Sequence, residues 1–145
     1  MSLRVVIDTN IWIRILLGGR ITLPILEAFQ ANQFQLVMGK ALLDEFHTVW
    51  NRPRLRRKIN PNQAERLEQQ LIDRALWVEV TTVPPHCRDP KDLPVLATAI
   101  DGQVQVIVSG DDDLRADEAL RRSMAEYNIK LLGAVSFMEF LNSNS

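Results

Sequence analysis

The chain has 145 residues, of which 46% are hydrophobic and 24% charged, and its formal net charge is −1. That length suits one domain closing one core, the composition excludes a chain kept disordered by polar bias, and the near-neutral balance excludes a global basic field that would draw it onto nucleic acid. The single cysteine, Cys87, excludes an internal disulfide framework and a multi-cysteine zinc cage, so a reducing, cytoplasmic setting is expected.

Residues 3–7 form an apolar, β-branched run that predicts a buried strand. Asp8 interrupts the run too soon for a signal peptide or membrane span. A helix follows over 11–17, broken by Gly18-Gly19, and a second over 21–31 accommodates Pro24 in its first turn. Residues 34–38 predict the second strand. Along Lys40–Trp50, Leu42, Leu43, Phe46, Val49 and Trp50 share one helical face, and Asn51-Arg52-Pro53 ends that helix. Pro61 opens the next helix, with Leu67, Leu71, Ile72 and Leu76 as its apolar stripe.

Residues 77–83 have strand character and Pro84-Pro85 closes them, leading into a polar segment over 86–92. Then follow a buried helix over 93–100, strands over 104–108 and 129–132, and a closing helix over 135–141. The order is β-α-β-α-α-β-α-β-α-β-α, read as a single domain over 1–145. Uniformly apolar strands separated by helices indicate an α/β fold of three layers, α/β/α, around a mostly parallel sheet of about five strands. In such a sheet the ligand crevice lies beyond the carboxyl ends of the strands, at the switch point.

Asp8 directly follows the first strand, and Asp111 follows the strand over 104–108 after only Ser109-Gly110. Two acids distant in sequence can therefore meet at one sheet edge. Glu45 borders the apolar stripe of its helix and can reach inward, whereas Asp44 points toward solvent. Asp92 stands at the start of the helix over 93–100. Four carboxylates so grouped would repel one another and raise their own pKa values unless a cation compensates them. Magnesium suits this role, since it prefers oxygen ligands and shares its shell with water and substrate phosphate; such an ion supports phosphodiester hydrolysis.

Four segments now carry a resemblance to the PIN-domain ribonucleases, including toxins of toxin–antitoxin pairs. Val5-Val6-Ile7-Asp8-Thr9-Asn10 is similar to the family's opening strand and first acid, with Asn10 in support. Lys40 through Phe46 resembles the second motif, with Glu45 at its acidic position. Arg88-Asp89-Pro90-Lys91-Asp92 and the helix after it resemble the third, with Asp92 as principal acid and Asp89 as helper. Val106 through Leu114 resembles the fourth, with Asp111 as ligand, Asp113 as a further candidate, and Ser109 where threonine is commoner. Gly39 departs from the family, which often has serine or threonine there. The resemblance implies Mg2+ or Mn2+ bound by Asp8, Glu45, Asp92 and Asp111, cleavage of RNA, a cognate antitoxin and pairing into homodimers.

Simpler readings stand beside these. Asp8, Thr9, Asn10 or Asp92 can cap the helix that follows, residues 111–113 can be a solvated turn, and Glu45 a surface acid. His47 and His86 lack zinc spacing and are assigned to structure or loop, as Cys87 is to a plain thiol. Trp12, Trp50 and Trp77 are expected in core or interface. Arg52, Arg54, Arg56, Arg57 and Lys58 can guide RNA phosphates or simply face solvent. The rival functions are a catalytically weak binding module acting through a protein partner, and a phosphatase or phospho-receiver domain.

Overall fold

The computed structural model describes residues 3–84 and 89–143. Its strands are β1 (Arg4–Ile7), β2 (Gln35–Met38), β3 (Leu76–Trp77), β4 (Val106–Val108) and β5 (Lys130–Leu132). The helices described are α1 (Thr9–Leu16), α2 (Leu23–Gln30), α3 (Lys40–Trp50), α4 (Pro53–Arg56), α5 (Pro61–Arg74), α6 (Leu93–Asp101), α7 (Asp112–Ala116), α8 (Glu118–Ala125) and α9 (Ala134–Ser143), with a 3-10 turn over Pro90–Asp92.

All strands pair in parallel, in the order β3-β2-β1-β4-β5. Val5 pairs with Leu36 on one side and with Val106 on the other, and Val108 pairs with Leu132. Strand order runs outward from β1 in both directions, so the switch point lies between β1 and β4. The apolar runs are explained by this topology. Val5, Val6, Ile107 and Val108 are wholly buried because helices cover both faces of the central strands. The aromatic core continues from Trp12, edge-on to Phe29 at 5.5 Å between ring centroids, and from Phe34, edge-on to Phe137 at 5.3 Å. Gly18, with φ at +88°, takes the left-handed conformation just past α1, where a side chain would be strained.

Three expectations need correction. The strand expected over 77–83 is only Leu76–Trp77, and Leu76 belongs to it rather than to the helix stripe. Beyond it, the N–H groups of Thr81 and Thr82 donate to the carboxylate of Asp101 at 2.7 and 3.0 Å, so a side chain takes the amides that a ladder would have used. Trp77 is 40% exposed at this sheet edge and donates its indole N–H to the Ile72 carbonyl; Trp12 and Trp50 are buried as expected. Between β4 and β5 the chain forms α7 and α8, where the expected order has one helix to which no residues are assigned. Asp117 caps α8 through the Leu120 amide, and Leu120 and Met124 bury its inner face.

Among the described residues, no helix is long and apolar enough to cross a membrane.

Candidate active site

The site grows from the carboxyl ends of β1 and β4. The Asp8 amide donates to the Val108 carbonyl at 2.9 Å, which continues the β1–β4 ladder by one bond and fixes Asp8 at the switch point. Asp8 is the N-cap residue of α1, yet its side chain makes no capping hydrogen bond. It receives instead the hydroxyl of wholly buried Ser109, at 3.1 Å to Oδ2. The same Ser109 oxygen accepts the Asp111 amide at 3.0 Å. One hydroxyl thus joins the first acid to the loop that carries the fourth.

Asp111 uses Oδ1 to cap α7, accepting the amides of Asp113 at 2.9 Å and Leu114 at 3.3 Å. Its capping and its position at the cleft coexist, because a carboxylate has two oxygens. Glu45 is half-buried on α3, while its neighbour Asp44 is exposed and paired with Lys40 at 3.6 Å. The helix phase inferred from the apolar stripe is therefore the one observed. Asp92 is half-buried where the 3-10 turn meets α6, and its side chain makes no capping bond to that helix.

The electrostatics tie these acids together. Burial raises the Asp8 pKa, and the Asp111 charge adds to this; the Ser109 hydroxyl and the Asn10 and Thr9 amides offset part of it. Burial and then the Asp8 charge raise Glu45, against the Thr9 hydroxyl and the charges of Arg52 and Lys91. Asp92 is pushed up to about 7, first by burial and then by the charges of Asp8, Asp111 and Asp89, with its protonated form further favoured by hydrogen bonding to Asp111. Asp8 thus senses Asp111, Glu45 senses Asp8, and Asp92 senses both Asp8 and Asp111. Asp8, Asp92 and Asp111 therefore stand within electrostatic reach of one another, and Glu45 within reach of Asp8.

The surrounding residues are less uniform. Asp89 accepts the Lys91 amide at 3.0 Å and so caps the 3-10 turn that presents Asp92. Asn10 and Asp113 are exposed, each in the first turn of a helix that leaves the cleft. Gly39 is buried: a Cβ there would lie 3.3 Å from the Thr98 hydroxyl. The basic residues divide as well. Arg52 bears on Glu45, whereas Arg56 lies over the Trp50 ring at 5.5 Å and donates to Asn51 at 3.2 Å. Arg54, Arg57 and Lys58 are exposed. His47 pairs with Glu68 at 2.8 Å, away from the acids, and His86 and Cys87 lie outside the described residues. Sequence reasoning missed Thr9 and Lys91 as electrostatic neighbours of Glu45; their place beside two of the motif acids was the only signal.

The donor set fits a hard divalent cation, since all four groups offer oxygen and their mutual repulsion leaves negative charge uncompensated. Among the described residues no group of three or more His, Cys, Asp or Glu is placed so that it could hold a metal ion by itself. Magnesium does not require one, because it is commonly held by one or two carboxylates together with waters and phosphate oxygens.

A parallel doubly wound sheet with Asp8 and Asp111 at its switch point defines the class as an α/β domain of three layers. The sequence matches the family model of the PIN domain over residues 4–113, more than half of the chain. The protein belongs to the PIN-domain family, a family of generally nuclease-type hydrolases. No curated protein matches the chain.

Proposed function

We propose that this protein is a metal-dependent endoribonuclease that hydrolyses RNA phosphodiester bonds. The observation that carries the reading is the coupling of Asp92, pushed up to about 7, to Asp8 and Asp111 across the switch point. A cluster so unfavourable to itself is explained by a cation that belongs there. Asp8, Glu45, Asp92 and Asp111 would hold Mg2+ or Mn2+. When bound, the ion supplies charge stabilisation at phosphorus and lowers the pKa of an attacking water.

The residues of the chain do the remaining work. Ser109 holds Oδ2 of Asp8 in one orientation at the carboxyl end of the first strand. Asp111, fixed through Oδ1 by the amides of α7, presents its other oxygen. Asp92 holds a proton near neutrality and must release it as positive charge enters. Asp89 keeps the turn under Asp92 in register, and Asn10 and Asp113 flank the opening. Arg52, Arg54, Arg56, Arg57 and Lys58 would meet RNA phosphates on the α3–α4 side, with Arg52 nearest the acids.

The test is direct. Purified protein with Mg2+ should cut single-stranded or loop-containing RNA, and Asp8→Asn should retain the fold while losing cleavage by at least 100-fold. Equal activity in the variant would remove Asp8 from its assigned role.

The resemblance to toxins of toxin–antitoxin pairs extends the proposal to a toxin that is silenced by an antitoxin covering the cleft and assembles as a homodimer in the cytoplasm. Growth arrest on expression, relieved by Asp8→Asn, would support that extension; unimpaired growth with active enzyme would reject it. That no group of three or more such side chains among the described residues is placed to hold a metal ion favours one second reading, a weakly catalytic PIN module acting through a protein partner. That reading gains if calorimetry detects no Mg2+ or Mn2+ binding.

A further inference from the structure

We propose that Arg14 and the cavity beside it form a nucleotide subsite flanking the acidic cleft, with the guanidinium taking a phosphate and the cavity wall taking the attached base. The inference rests on the ribonuclease reading and names where the strand runs once it leaves the acids.

Arg14 lies in the last turn of α1 and reaches across to the loop after β4, where it donates to the Gly110 carbonyl at 3.5 Å. A Cβ on Gly110 would stand 2.4 Å from Nη1, 2.8 Å from Cζ and 3.0 Å from Nη2. The guanidinium is therefore laid against the glycine backbone itself. Gly110 is the residue between Ser109, bonded to Asp8, and Asp111. Its missing side chain leaves the space that the guanidinium occupies.

Arg14 nonetheless makes no ion pair among the described residues. A guanidinium laid against the loop that carries Asp111 but paired with none of the described carboxylates is suited to an anion that the substrate brings, and its planar fork matches phosphate geometry.

The cavity continues from that arginine. Its volume is about 350 Å³, and Arg14, Leu17, Arg20, Ile21 and Ala134 contribute to its walls. This is within the roughly 300–1,000 Å³ of small-molecule pockets. Two cations line it and no carboxylate does. Leu17 and Ile21 are exposed, at 44% and 66%, a placement that core packing does not explain. Basic charge beside an apolar wall suits a nucleotide, which joins an anion to a flat apolar face. The two arginines call for an anionic occupant, and an RNA strand is the one that the ribonuclease reading supplies.

Binding of a fluorescein-labelled oligouridine to protein carrying Asp8→Asn, followed by anisotropy across a KCl series, tests the subsite without cleavage. Adding Arg14→Gln should weaken binding about tenfold and reduce the slope of log K against log salt by about 0.7, the value for one phosphate on a single strand. Arg122→Gln, an exposed change on α8, should do neither. Ile21→Trp should tighten binding several-fold, with indole fluorescence quenched by the RNA, because an aromatic face stacks on bases better than an aliphatic one. Since Ile21 is exposed, neither that change nor Ile21→Glu, which should weaken binding, threatens the fold.

Unchanged affinity in Arg14→Gln would overturn the proposal, as would failure of the parent to bind the oligonucleotide. It is also overturned if Ile21→Glu alters only the oligomeric state, which would make this face a protein interface. Cleavage by protein with Asp8 intact is scored separately. RNA that is cut but bound without help from Arg14 removes the subsite alone, whereas RNA held through Arg14 but never cut removes the nuclease reading.

Discussion

Ser109 donates to Asp8 at 3.1 Å and accepts from the Asp111 amide at 3.0 Å, so one buried hydroxyl sets the orientation of a carboxylate on β1 and of the loop that follows β4. The bond also opposes the burial that raises the Asp8 pKa. Ser109→Ala would leave a buried carboxylate and a half-buried amide each short of a partner. We expect a loss of about 1–3 kcal/mol, or roughly 2–4 °C in Tm for each kcal/mol. Weaker metal binding should accompany it, with the acid limb of activity moved to higher pH. Ser109→Thr keeps the hydroxyl and should recover metal affinity better than Ser109→Ala. Thermal melts and calorimetry of both variants check this; equal metal affinity in the two would refute the hydroxyl's role.

Asp92 gives a pH prediction of definite sign. Its folded pKa, pushed up to about 7, lies above the ordinary carboxylate value of about 4. Between those values the metal-free native chain holds a proton that the unfolded chain has released, so stability falls as pH rises through this window. Asp92→Asn removes the titration while keeping the shape. In chelator, urea midpoints of the parent should decline from pH 5 to pH 8 more steeply than those of the variant, and the variant should be the more stable protein at pH 8. Parallel pH profiles would show that neither burial nor the acidic neighbours raise the Asp92 pKa in the folded chain.

Much of this cleft was legible in the sequence because strand ends are. An apolar run that stops at an acid marks both the strand and the position of that acid, which is why the sequence alone puts Asp8 and Asp111 at strand ends. The phase of α3 separated Glu45 from Asp44 for a similar reason, since the apolar stripe fixes which side turns inward. The failures were also physical. Residues 78–83 look like a strand because Val78, Val80, Thr81 and Val83 are β-branched, but Asp101 takes two of their amides. Helix α7 was hidden because its cap, Asp111, was already read as a ligand, and it is both cap and cleft residue. Arg14 left no trace in its own segment; its position depends on the space at Gly110, 96 residues away.

Metal should behave as a folding ligand. A cation that binds only the native acids stabilises by about 2.7 kcal/mol at 100 times its dissociation constant, which corresponds to a rise on the order of 5–10 °C for a chain of this size. Protons compete for the same oxygens. With the pKa values of Asp8, Glu45 and Asp92 all raised, the increment should be large at pH 8 and shrink markedly by pH 5.5. Asp8→Asn should melt higher than the parent in chelator, because a charge without compensation has been removed, and should gain little from Mn2+. Differential scanning fluorimetry with and without Mn2+ measures both effects. An increment retained in full by Asp8→Asn would place the ion elsewhere.

Asp101 allows fold stability to be separated from the cleft. It ends α6, the helix that begins beside Asp92, and its carboxylate accepts the Thr82 hydroxyl together with the amides of Thr81 and Thr82. Those donors, the Thr82 hydroxyl foremost, hold its pKa below the ordinary value, so its contribution is present above that value and is lost as pH falls through the lowered one. Asp101→Asn keeps the size but turns an amide nitrogen toward groups that need an acceptor. A loss of about 1–3 kcal/mol follows from breaking hydrogen bonds to a charged group. The urea midpoint should drop at pH 7, while the stabilisation gained from Mn2+ stays as large as in the parent, because the other end of α6 is set by the Asp89 turn and by the burial of residues 95–99. A variant that loses the metal increment as well would mean that the hold on Thr81 and Thr82 positions Asp92 along the helix, and that α6 transmits strain from one end of the site's scaffold to the other.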